Sequence, residues 1–341
     1  MTIIASIAIP RRLSIVLSLS ICFYFNSISD ILYTHLMSGK VSIIGGGHVG
    51  MSAAFAMILK NTVRELVLFD RDTDKMKGEQ LEFEHSLTFL GTTKITVAES
   101  PEDLKNSDVI VFTAGRAQLP GESRLNLVKS NVEVIKNILP DVVKHSPNSV
   151  IVMVTNPVDI LTYQASKILN LPPGRIFGSG TSLDSARFRF HLSEFLGINP
   201  KNIHTYVLGE HGDSSFPTIS HADIGGQPIS TMNNFSSEKI QEAFQKAKTA
   251  AGTIINAKGS TYYAIGVVIN QLVDAILKDT KRVYPVSIPL TGQYGQKDVS
   301  ISVPCVIGKK GVEKILEVPL SDEEKKLMDK SVKILKEIAI L

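Results

Sequence analysis

His211 lies in the stretch Leu208-Gly209-Glu210-His211-Gly212-Asp213-Ser214, where flanking glycines allow a turn that could aim the imidazole into a cleft. The chain has eight histidines. An isolated histidine is more often a packed or surface residue than a catalyst, so its possible partners matter. Upstream, Gly178-Ser179-Gly180-Thr181-Ser182-Leu183-Asp184-Ser185-Ala186-Arg187 spaces a carboxylate and a guanidinium by three. On a helix that spacing puts Asp184 and Arg187 on one face. Asp184 could orient His211 and favour its protonated form. Arg187 could grip a carboxylate through two parallel hydrogen bonds, which lysine cannot do. A proton donor, a carboxylate-binding cation and a dry site are what hydride transfer to a 2-oxo acid requires.

A second chemical signal lies near the start of the patterned chain. In Gly45-Gly46-Gly47-His48-Val49-Gly50, the first, third and sixth residues give the spacing G-x-G-x-x-G, taking Gly45, Gly47 and Gly50. Alone the string is weak. Here it follows an apolar strand, opens a helical stretch, and is followed twenty residues after Gly50 by Asp70 at the end of the next strand. That context is the fingerprint of a dinucleotide site. The first glycine allows the tight turn, the second lets backbone approach a pyrophosphate, and the third lets helix pack on strand. The helix N-terminus offers N–H groups and positive dipole to the phosphates. A carboxylate at Asp70 can accept from both ribose hydroxyls and repels a 2′-phosphate, so NAD is expected over NADP.

These groups must be carried by regular elements, and the pattern supplies them. Val41–Ile44, Glu65–Asp70, Lys94–Ala98, Val109–Thr113 and Val150–Thr155 read as buried strands, rich in Val and Ile and bounded by turn residues. Between them His48–Lys60, Thr73–Leu90 and Leu125–Val143 have helical composition or spacing. That rhythm predicts an α/β fold with a parallel sheet covered on both faces. After about Gly180 the rhythm weakens: longer helices, Glu238–Ala257 and Ala264–Lys278, mix with short strands near Tyr206, Val283–Leu290 and Ile301–Ile307. Two domains in sequence are expected, at 37–180 and 181–341.

Composition narrows the class. The 341 residues are 43% hydrophobic and 20% charged, as in globular proteins. A net charge of only +3 argues against a nucleic-acid or membrane-surface binder acting through bulk charge. The two cysteines, Cys22 and Cys305, cannot make a disulfide framework, and no cluster with metal-ligand spacing is present. Residues 1–36 stand apart. Arg11 and Arg12 precede an apolar run, Leu13 to Phe25, that is short and serine-interrupted for a membrane helix and lacks a clean cleavage site. They read as an N-terminal extension: sequence upstream of a true start at Met37, a disordered tail, a weak anchor or a targeting signal.

The segments together resemble the lactate/malate dehydrogenase superfamily, and the match runs from Lys40 to Ile338. The strings Gly121-Glu122-Ser123-Arg124-Leu125-Asn126-Leu127, Asn156-Pro157-Val158-Asp159-Ile160-Leu161-Thr162, Leu183-Asp184-Ser185-Ala186-Arg187-Phe188-Arg189 and Gly209-Glu210-His211-Gly212-Asp213 look like its L-lactate branch, bacterial allosteric type. The resemblance implies a Rossmann-type doubly wound parallel sheet followed by an α+β substrate domain. It also implies reversible, NAD-dependent hydride transfer between pyruvate and L-lactate in the cytoplasm. His211 and Asp184 would be the proton relay and Arg124 the cation that polarises the carbonyl. Asn156 would bond the substrate oxygen, and Arg187 would bind the carboxylate. Val154, Thr155 and Ser179 would line the nicotinamide side, and Val49, Lys75 and Gly115 complete the implied cofactor set. The loop Gly115–Ser123 is expected to order and close over substrate and NADH.

Substrate choice would turn on Gln118, where malate enzymes carry arginine for a second carboxylate. A neutral amide leaves no unpaired cation over a methyl group. Thr261, in Lys258-Gly259-Ser260-Thr261-Tyr262-Tyr263, matches the lactate enzymes and leaves room for that methyl. A departure is Arg116 before Ala117, where many lactate enzymes carry Ala-Arg or Ala-Asn. Arg116 could reach cofactor phosphates or act as a second cation near the pocket, so malate dehydrogenase remains the alternative. Arg189 and His204 match the pair that in bacterial relatives binds fructose 1,6-bisphosphate across a two-fold interface. Interface residues without a ligand are the other reading. A homotetramer is implied, while a non-catalytic NAD-sensing subunit and a membrane-tethered enzyme are the rivals.

Overall fold

In the computed structural model, residues 39–116, 124–232 and 235–339 are described, save the side chains of Arg124 and Ala339. The extension at 1–36, Gln118 and most of the expected closing loop therefore lie outside the described residues, as does the Arg124 side chain.

Valine and isoleucine runs make six parallel strands: β1 (Lys40–Ile44), β2 (Glu65–Phe69), β3 (Lys94–Val97), β4 (Val109–Phe112), β5 (Val150–Met153) and β6 (Ile176–Gly178). They stand in the order β3-β2-β1-β4-β5-β6, the order of a doubly wound dinucleotide-binding sheet. Side chains alternate across it. Val41, Ile43, Val109, Val111, Val150 and Val152 enter one core; Ile44, Ile110, Phe112, Ile151 and Met153 enter the other. Apolar residues on both faces require cover on both faces. Helix α1 (His48–Leu59) packs on the first, and α2 (Thr73–Ser86) follows β2. Helices α3 (Arg124–His145) and α4 (Val158–Leu169) cover the second.

Beyond β6 the sheet continues instead of stopping. Helix α5 (Ser182–Leu196) leads to two small antiparallel sheets, one of β7 (Ile203–His204), β10 (Asp223–Ile224) and β11 (Gln227–Pro228), the other of β8 (Val207–Leu208) and β9 (Phe216–Pro217). Helices α6 (Ser237–Lys258) and α7 (Tyr263–Leu277) follow. Then β12 (Arg282–Thr291), β13 (Lys297–Gly308) and β14 (Gly311–Ile315) extend the large sheet antiparallel from β6, and α8 (Asp322–Ala339) closes the chain. The described residues form one compact unit.

The helix expected over Thr73–Leu90 is shorter: α2 stops at Ser86 and a single tight turn covers Leu87–Phe89, leaving Phe89 in solvent. Spacing could not show this stop, because no glycine or proline marks it. Helices α4 and α8 were not expected from apolar spacing.

Candidate active site

The glycine turn takes the shape its sequence demands. Gly45 has φ +111°, and a methyl group there would lie 2.6 Å from the Ala114 nitrogen. A methyl at Gly50 would lie 2.1 Å from the Gly45 carbonyl oxygen, backbone that cannot yield. Gly47 instead faces open space, and α1 begins beside it with no side chain capping its first N–H groups. An uncapped helix start facing open space fits a phosphate. Asp70 accepts the Gly46 N–H at 2.7 Å, and the Lys75 ammonium donates to the Gly46 carbonyl at 2.7 Å, so both hold the turn. Half-buried at the end of β2, Asp70 stands where a ribose would meet a carboxylate. The residues present therefore fit a dinucleotide.

A cavity of roughly 300 Å³ opens beside this turn. Val49 reaches it from α1, Val154, Asn156 and Ser179 from the ends of β5 and β6, and Thr261 from the segment before α7. Asp184, Arg187 and His211 line it too, so the carboxylate, guanidinium and imidazole predicted from separate strings meet in one place. Helix α6 adds a side that sequence reasoning missed: Phe244, Ala247, Lys248, Ala251 and Ile255. Their spacing of three and four along a helix was the available signal.

Asp184 joins the chemistry. Its Oδ2 accepts from His211 Nδ1 at 2.7 Å, and its Oδ1 accepts from Arg187 Nη1 at 3.2 Å. Its side chain is 17% exposed, Arg187 13% and His211 28%. Burial alone would pull the His211 imidazole down. The Asp184 carboxylate, its hydrogen bond and the charge of Asp159 outweigh that and raise it from 6.5 to about 8. Burial pushes Asp184 up, but the His211 and Arg187 cations prevail and hold it below the usual carboxylate range. The turn carrying His211 is pinned at three points. Gly209 (φ +96°) exchanges backbone bonds with Ser302 of β13, the Glu210 N–H donates to Ser331 Oγ, and the His211 N–H donates to Asp159 Oδ2 at 2.7 Å.

The remaining expected residues are distributed around this centre. Gly115 (φ +152°) packs against Thr155, whose hydroxyl donates to the Ala114 carbonyl, while the Asn156 carbonyl accepts from Asn131. Arg116 lies on the α3 side, its Nε donating to Ser130 Oγ at 2.9 Å and its N–H to Asn131 Oδ1. Arg189 is half-buried on α5 beside Tyr206 and Tyr284, and His204 is exposed on β7, which packs against α5. Neither lines the cavity.

Two family models match the chain. One, described as the NAD binding domain of lactate/malate dehydrogenase, covers residues 39–178; the other, described as its alpha/beta C-terminal domain, covers 181–339. The chain belongs to the lactate/malate dehydrogenase family. An L-lactate dehydrogenase of Synechococcus sp. (strain JA-3-3Ab) is 41% identical over 300 residues, spanning 88% of this chain and 98% of that protein. One from Thermoanaerobacter pseudethanolicus is 42% identical over 304 residues, 88% and 97%. Among solved structures, the minor L-lactate dehydrogenase of Enterococcus mundtii superposes with TM-score 0.86 at 36% identity, covering 89% of this chain and 98% of that one. A lactate dehydrogenase from a Medee basin deep-sea metagenome library gives 0.84 at 38%, with the same coverage. As a member of this family the chain is an NAD-dependent oxidoreductase. No helix among the described residues is long and apolar enough to cross a membrane.

Proposed function

We propose that this family member is an L-lactate dehydrogenase, interconverting pyruvate and L-lactate with NAD, and that His211 is its general acid and base. The observation that carries the reading is the Asp184-bridged pair of His211 and Arg187 on one cavity wall, with the cofactor-side residues Val154, Asn156 and Ser179 on the same cavity. Bound NADH supplies the hydride. Arg187 binds the substrate carboxylate and so fixes where the carbonyl lies. Asp184 holds His211 Nδ1–H, which leaves Nε2 to donate a proton to the carbonyl oxygen and to recover it in the reverse direction. Asn156 bonds the same oxygen. Val154, Leu183, Phe244 and Ile265 keep the cavity apolar around these groups.

Arg124 as carbonyl-polarising cation, Gln118 as the methyl-side residue and Thr261 as the small neighbour complete the proposed substrate set. Gly45, Gly47, Val49, Gly50, Asp70, Lys75, Gly115 and Thr155 complete the cofactor set, with 37–180 the cofactor half and 181–341 the substrate half. A spectrophotometric NADH assay comparing pyruvate with oxaloacetate tests the reading. Pyruvate should be turned over at least about tenfold more efficiently, and Gln118→Arg should move the ratio toward oxaloacetate. A higher kcat/KM with oxaloacetate in the unaltered enzyme would make it a malate dehydrogenase instead.

The same reading includes a cytoplasmic homotetramer. Support comes from Phe55 and Leu59 on α1 and Tyr263 and Val267 on α7, large apolar side chains exposed on two helices that pack together. It also includes activation by fructose 1,6-bisphosphate through Arg189 and His204. Two such cations facing two more across a two-fold axis repel, and a bisphosphate relieves that.

A further inference from the structure

The fingerprint G-x-G-x-x-G leaves its fourth position open, and here His48 fills it. His48 is the first residue of α1, exposed, between Gly47, which faces open space, and Val49, which lines the cavity. On local grounds histidine is a poor choice there. The N-terminal end of a helix dipole repels a cation, and no acidic residue in the first turn offsets one. The ring is nonetheless held from the turn between α6 and α7. Its centroid lies 4.9 Å from that of Tyr262, and its Nδ1 lies 3.4 Å from Ser260 Oγ. Tyr262 also carries Lys258, whose ammonium stands 3.5 Å from the ring centroid. Two basic side chains and an uncapped helix start thus share one rim. Among the described residues neither His48 nor Lys258 forms an ion pair with a carboxylate.

An anion on this rim offsets the gathered positive charge, and the anionic part of a dinucleotide is its diphosphate. We propose that His48 is a diphosphate ligand, its Nε2–H donating to a phosphate oxygen beside the backbone N–H groups of the α1 start. This rests on the reading of the glycine turn as the cofactor site and is independent of which acid is reduced. The Ser260 hydroxyl can donate to Nδ1, which places the proton of a neutral ring on Nε2, so the donor exists in both charge states. Packing against Tyr262 restrains the ring, so less side-chain freedom is lost when a phosphate binds. His48 rather than Lys258 is the direct ligand, because the Lys258 ammonium is already engaged by the rings of Tyr262 and Tyr263.

Three variants separate a hydrogen-bond donor from a packing residue. His48→Phe keeps a ring for Tyr262 but has no N–H, His48→Gln keeps an N–H, and His48→Ala removes both. Calorimetry on the full chain compares ADP-ribose, which carries the diphosphate, with adenosine, which does not. The Kd for ADP-ribose should rise about 3–10-fold in His48→Phe and His48→Ala and stay within about twofold in His48→Gln. Adenosine should bind all three variants as it binds the unaltered protein. By NMR of the unaltered protein, the His48 ring signals should move with ADP-ribose and stay still with adenosine, a readout that needs no variant. An unchanged ADP-ribose Kd in a folded His48→Phe protein, an equal loss for adenosine, or His48 signals that ignore ADP-ribose would overturn the proposal. Failure of the unaltered protein to bind ADP-ribose at all would overturn the cofactor-site reading, and the proposal with it.

Discussion

His211 owes its acid strength to opposed effects of similar size. Burial favours the neutral ring, and Asp184 at 2.7 Å favours the cation, with the cation ahead up to about pH 8. The sign of the pH dependence follows. Pyruvate reduction needs the protonated ring and should be flat below about 8, falling above it; lactate oxidation needs the neutral ring and should rise through the same value. Asp184→Asn should move both limbs to lower pH, measured as kcat against pH in each direction. His211→Asn should cost roughly 10²–10⁴-fold in kcat, with NADH binding retained. Arg187 makes a different contribution, because shape counts as well as charge. Arg187→Lys keeps the cation but loses the planar fork, and kcat/KM for pyruvate should fall about 10–100-fold.

At the scale of elements, the site depends on where strands end. Strands β1, β2, β5 and β6 deliver the glycine turn, Asp70, Val154 with Asn156, and Ser179 along one edge of the sheet, where ligands of doubly wound folds bind. The glycine turn is intolerant because its neighbours are backbone. Gly50→Ala would press a methyl onto the Gly45 carbonyl, so the α1 start must shift away from β1. A titration by NADH fluorescence should show a Kd raised at least about tenfold. An unchanged Kd would mean that the turn does not hold the dinucleotide. The spacing G-x-G-x-x-G was legible in sequence because each glycine answers a local steric demand. The cavity wall from α6 was not: Phe244, Ala247 and Lys248 look like any amphipathic helix until α5 packs beside them.

Across the whole molecule, the second half of the chain does not form a separate sheet but adds β12, β13 and β14 to the edge at β6. That junction lets Ser302 of β13 and Ser331 of α8, 93 and 121 positions along the chain from their partners, anchor the Gly209–Glu210 backbone and so hold the His211 turn. Arg189 and His204 lie outside this centre, so any effect of a bisphosphate there must travel through α5, which carries Arg189, Arg187 and Asp184 together. Saturation curves for pyruvate with and without fructose 1,6-bisphosphate should differ in half-saturation. Superimposable curves would remove the allosteric proposal, leaving Arg189 and His204 as interface residues at most.

Local constraints were readable from sequence alone: the buried strands rich in Val and Ile, the glycine turn with Asp70, and the three-residue step from Asp184 to Arg187. Each depends only on neighbours within one or two turns of chain. The tertiary structure supplied the His211–Asp184 contact, which could only be expected from sequence, and it alone decided that Asp159 accepts the His211 N–H and that α6 closes the cavity. Those contacts join residues 27 and 52 positions apart. Which distant groups meet is set by how strands order and helices pack, and no short-range pattern encodes that.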